Sequence, residues 1–129
     1  MENLWPAFEK KEIITPKSIF EKQVEFFNSL DLGLRASLTN SLLDSGKLIS
    51  TFRIQASALS GFTFTLFRAT NYALSIYPVS IQDKLNEISY ECENMKDVED
   101  ALKAIFNNEE LKTVIQNLLA QIDDGVSDS

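Results

Sequence analysis

An α+β fold, with one antiparallel sheet of four or five strands packed against an N-terminal helix and two C-terminal helices, follows from three features of the sequence. Apolar residues recur at helical spacing over 16–32, the period drops to two between 34 and 76, and helical spacing returns from Val98 to Ile122. At 129 residues the chain is long enough for one domain with its own core and short for two. It is read as a single unit, 1–129, with an N-terminal arm over 1–14 and a flexible acidic tail over 123–129.

Thr15 before Pro16 suits an N-cap followed by a first helical residue, and Gly33 suits a stop, so the first helix should run to about Leu32. Ile19, Phe20, Val24, Phe26, Phe27 and Leu30 share one arc, with Gln23 the polar intruder near its centre. A buried amide needs partners, so Gln23 is expected to bond to a backbone group or to point at a site. Leu34, Ala36, Leu38 and Leu42 then alternate with polar residues, as do Leu48, Phe52, Ile54 and Ala56 after Asp44-Ser45-Gly46. A three-residue loop with Gly46 left-handed pairs Leu42 with Leu48, Leu38 with Phe52, and Ala36 with Ile54. A second turn over 57–61 would pair Ala56 with Phe62, Ile54 with Phe64, and Phe52 with Leu66. A third, at Thr70-Asn71-Tyr72, leads to Leu74 and Ile76 on the inner face, with Pro78 at an edge or bend.

The alternation over 87–93 predicts a short charged strand. Val98, Ala101, Leu102, Ile105 and Phe106 form the stripe of one helix, and Leu111, Val114, Ile115, Leu118, Leu119 and Ile122 that of another, with Asn107-Asn108 as hinge and cap. This layout is similar to small uncharacterised bacterial α+β proteins that begin with a TPxSI-type helix, here Thr15-Pro16-Lys17-Ser18-Ile19, continue into a strand meander and end in a helix pair. The resemblance implies the fold and no activity.

Arg68 breaks the alternation of Phe62, Phe64 and Leu66. With Ser50 between Asn40 and Arg68, the straight register makes a polar row at one end of the inner face, which Tyr72 and Gln23 can join. Such a row could receive a carboxylate or phosphate in an arginine fork, the site of a small-ligand sensor or modest enzyme. The same register puts Ile49, Phe67, Tyr77 and Arg53 on the outer face among serines and threonines. That mixed patch is expected to bind another protein or a second copy of the chain.

Catalytic signatures are sparse. With no histidine, Ser-His-Asp and Cys-His arrangements are impossible and the common zinc sites lose their imidazoles. None of the four glycines has phosphate-loop spacing, and no cofactor is expected. Cys92 is the only cysteine, which points to a quiet structural thiol in a reducing, cytoplasmic setting. No apolar run reaches membrane-span length. The net charge of −7 argues against direct binding to nucleic acid and leaves room for an acidic mimic of it. The function expected is therefore that of a non-enzymatic protein-binding module of regulatory, inhibitor or immunity type, acting alone or as a homodimer.

Overall fold

The computed structural model describes residues 1–124. Helix α1 (Pro16–Ser29) leads into strands β1 (Arg35–Leu42), β2 (Lys47–Ala56), β3 (Phe62–Tyr72), β4 (Ser75–Asp83) and β5 (Ile88–Cys92), followed by α2 (Met95–Phe106) and α3 (Glu109–Asp123). The strands form one antiparallel meander in chain order, which completes the expected α+β architecture with five strands.

Local chemistry sets the helix ends. Ser18 donates its backbone N–H to Thr15 Oγ1 while Thr15 donates its own to Ser18 Oγ, each at 3.2 Å, a reciprocal cap that fixes where α1 begins. The helix stops at Ser29 rather than near Leu32, because Asp31 (φ +52°) and Gly33 (φ +85°) already turn left-handed. Asn94 and Asn108 cap α2 and α3 by accepting from Asp97 and Glu110. Of the segment 123–129, Asp123 closes α3 and Asp124 is its C-cap; 125–129 lie outside the described residues.

The first hairpin has the expected register, Leu42 opposite Leu48 through Ala36 opposite Ile54, with Gly46 at φ +88°. The second departs from it midway. Ala56–Phe62 and Ile54–Phe64 pair as expected, but a bulge shifts the ladder so that Phe52 lies opposite Phe67 rather than Leu66. Leu66 and Phe67 are consecutive, and both are buried. Beyond them every side chain of β3 changes face relative to a straight strand. The third turn also falls later than expected: β3 runs through Tyr72, and Leu74 is fully exposed in the turn instead of on the inner face.

All three helices contribute to the core on one face of the sheet. Phe67, with no exposed surface, sits at its centre, its ring 5.2 Å from Phe20 of α1, 4.9 Å from Phe52 and 6.3 Å from Phe106 of α2. Val98, Ala101, Leu102 and Ile105 of α2 join Val79, Ile81 and Cys92 in the same cluster. Among the described residues no helix is long and apolar enough to cross a membrane.

Candidate functional site

The bulge decides which residues reach the open face of the sheet. Ser50 lies opposite Asn40 and donates its hydroxyl to Asn40 Oδ1 at 2.7 Å, as the sequence suggests, but its neighbour on β3 is Ala69, not Arg68. Arg68 pairs with Thr51 on the outer face. Tyr72 also belongs to that face, opposite Lys47, whose ammonium stands 6.0 Å from its ring centre. Gln23 is half-buried on α1, makes no hydrogen bond among the described residues, and lines a groove between α1 and α3. The five residues expected to share a ligand site are thus divided among the inner face, the outer face and this groove.

The expected partner patch is redistributed by the same shift. Phe67 is the centre of the core and cannot offer surface. Tyr77 packs against the core as well, and burial first, then Cys92 and Glu99, push its hydroxyl pKa upward. Ile49 and Arg53 remain on the outer face, where Arg53 Nη1 donates to Thr39 Oγ1 at 2.6 Å.

What occupies the outer face is consequently polar and basic. One row crosses all five strands, Thr39–Thr51–Arg68–Gln82–Ser89, and the next carries Ser41, Ile49, Thr70, Ser80 and Glu91. Arg35 on β1, Arg53 on β2 and Arg68 on β3 are each displaced by one row, so they form a diagonal with one guanidinium per strand. These are the only arginines in the chain. Lys47 adds a fourth cation on this face, against Glu91 alone at the far edge. Among the described residues the four ion pairs, Lys17–Glu21, Lys22–Glu25, Lys96–Asp100 and Lys112–Glu109, each lie within one helix, and no arginine is neutralised. Arg68 Nε is buried and has no acceptor among the described residues.

Comparison of the chain with protein-family models, with curated proteins and with solved structures gives no match. The chemistry of the face must therefore be read from its own residues. A planar guanidinium presents paired N–H donors that fit a carboxylate edge-on, and the surrounding hydroxyls can donate or accept as the partner requires.

Other polar groups have structural duties. Asp83, buried on the inner face, accepts from the backbone N–H groups of Leu85 and Asn86 and from Asn86 Nδ2 at 2.9–3.0 Å, which holds the β4–β5 turn. The Cys92 thiol is buried and its pKa is pushed up to about 11, by burial first and then by Asp97, Glu91 and Glu93, so it stays protonated at neutral pH. Among the described residues no cluster of three or more acidic or cysteine side chains is placed to hold a metal ion.

One residue with a clear role was hidden in the sequence. Asn28, on the polar side of α1, donates Nδ2 to the Ala36 carbonyl at 3.2 Å and accepts the Ala36 N–H on Oδ1 at 2.7 Å. Its amide takes the place of a neighbouring strand at the edge of β1.

Proposed function

We propose that this chain is a non-enzymatic binding module that holds an acidic segment of another protein against the open face of its sheet. The observation that carries the reading is the concentration of all three arginines, unpaired with any carboxylate among the described residues, on the face of the sheet opposite the helices in a chain whose net charge is −7. Glutamate or aspartate side chains of a partner would enter the forks of Arg35, Arg53 and Arg68, and Thr39 and Thr65 would supply hydroxyl contacts between them. Arg68 Nε is buried without an acceptor among the described residues, so a partner carboxylate would supply the charge-assisted bond that group lacks.

A protein partner is favoured over nucleic acid on two grounds. The excess negative charge lies off this face, on α2, α3 and the connecting turns, and repels a long polyanion extending beyond it. Tyr72 is the single aromatic side chain on the face, and it stands at one end, so there is no platform for successive bases. The setting we propose is the cytoplasm, where the lone thiol of Cys92 would persist unoxidised.

Titration of a fluorescent glutamate-rich peptide, with a single-stranded oligonucleotide of equal length in parallel, tests the reading. The peptide should bind at low salt and lose at least about tenfold in affinity with Arg53→Gln/Arg68→Gln, each charge-assisted bond being worth about 1.5–3 kcal/mol. Binding that is indifferent to the double substitution, tighter binding of the oligonucleotide, or no binding of the peptide at low salt would overturn it.

A further inference from the structure

We infer that the N-terminal arm of one copy seats Trp5 and Phe8 in the groove between α1 and α3 of a second copy, forming a reciprocal dimer on the side of the molecule away from the arginines. The groove has a volume of about 460 Å³ and is walled by Phe27 of α1 and its C-cap Leu30 and by Leu111 and Ile115 of α3, with Ile54 and Leu66 as its floor. Its size and apolar lining are those of a binding site rather than a packing fault. Nothing among the described residues fills it.

The matching surface is in the same chain. Trp5 and Phe8 are 75% and 76% exposed, and Leu4, Ile13 and Ile14 are also more than half exposed, so the arm makes no use of its own body. The two rings lie 6.3 Å apart, close enough for one insertion to carry both. The arm reaches far enough, since the seven residues from Phe8 to Thr15 span up to about 25 Å when extended.

The local backbone directs the arm outward. Thr15 is extended (φ −93°, ψ 157°), held by its reciprocal bonds with Ser18 and restricted by Pro16. To lie along the C-terminal half of its own α1, the arm would have to double back within 9–14, Glu-Lys-Lys-Glu-Ile-Ile. That stretch has no glycine, proline, asparagine or aspartate to form a turn, and its two isoleucines favour extended backbone. The groove of a second copy needs no reversal. Four aromatic rings at about 150–250 Å² each remove about 600–1,000 Å² from water on the arm side, and the groove walls lose a comparable area. The total falls within the range of a specific dimer, about 1,200–2,000 Å².

Light scattering combined with the emission of Trp5, the only tryptophan, tests this directly. The full chain should be a dimer with blue-shifted emission that moves red on dilution. Deletion of 1–14 and, separately, Ile115→Glu should give folded monomers, with red emission in the latter. Leu30→Glu at the groove mouth is the substitute if Ile115→Glu does not fold, with circular dichroism as the check. A monomer with blue-shifted emission unaffected by dilution would place the arm in its own groove and overturn the proposal. So would a monomer with solvent-like emission, a dimer that survives the variants, or an apolar small molecule found in the groove by mass spectrometry of extracted protein.

Discussion

Arg68 and Phe67 show how much can depend on one extra residue. A straight β3 would turn the guanidinium of Arg68 toward the helices and the ring of Phe67 toward solvent. With Leu66 bulged, both Leu66 and Phe67 are buried and Arg68 joins Arg53 outside. The sign of this was in the sequence: Phe62, Phe64 and Leu66 occupy even positions, whereas Phe67 and Ala69 occupy odd ones, and the adjacent Leu66-Phe67 pair marks the change. Reading Arg68 as an exception within a constant period, rather than as the start of a shifted one, placed the polar row wrongly. The contrast in burial is measurable. Phe67→Ala should cost about 3–5 kcal/mol in urea unfolding, while Leu74→Ala, at a fully exposed turn position, should stay within about 0.5 kcal/mol. Cys92 gives a pH signature. Its folded pKa, about 11, lies above the unfolded value of 9.0, and that of Tyr77 is raised above 10.0. Cys92 therefore adds stability that is complete below about pH 9 and is lost as pH rises toward about 11, and Tyr77 adds stability that is lost only above pH 10.0, so denaturation at a series of pH values should show stability falling on the alkaline side.

The elements themselves were largely legible because their signals are local. Thr15-Pro16, Gly46 after Asp44-Ser45, and Asn108 before α3 all act within a few residues, and the structure uses them as expected. The docking of α1 was not legible. Asn28 is one more polar residue on a solvated arc until β1 comes alongside, eight residues later, and offers the Ala36 peptide to its amide. Gln23, which the helical wheel singles out, lines an open groove and has no hydrogen bond among the described residues. Asn28→Ala should destabilise the protein by about 1–3 kcal/mol, since it leaves a part-buried N–H and carbonyl unpaired at the sheet edge. Gln23→Leu should be neutral or stabilising by the same measurement.

For the molecule as a whole, net charge was the least informative number. The value of −7 averages acidic helices α2 and α3 and acidic turns with a sheet face on which Arg35, Arg53, Arg68 and Lys47 face Glu91 alone. The parity of β1 and β2 already assigns Arg35 and Arg53 to one face, and only the bulge adds Arg68. The groove between α1 and α3 arises from helix packing and has no counterpart in any single stretch of sequence. A face of this kind predicts steep salt dependence: association with an acidic peptide should slow markedly as ionic strength rises from about 0.01 M to about 0.5 M, while dissociation changes less. The placement of Arg68, and with it the three-arginine diagonal, rests on the parity of β3 beyond Leu66. Thiol labelling of the folded protein tests that parity most directly, because Cys92 is buried and held as a thiol and so contributes little background. Arg68→Cys should react rapidly and Ala69→Cys only on unfolding; rapid reaction at 69 with protection at 68 would contradict the account.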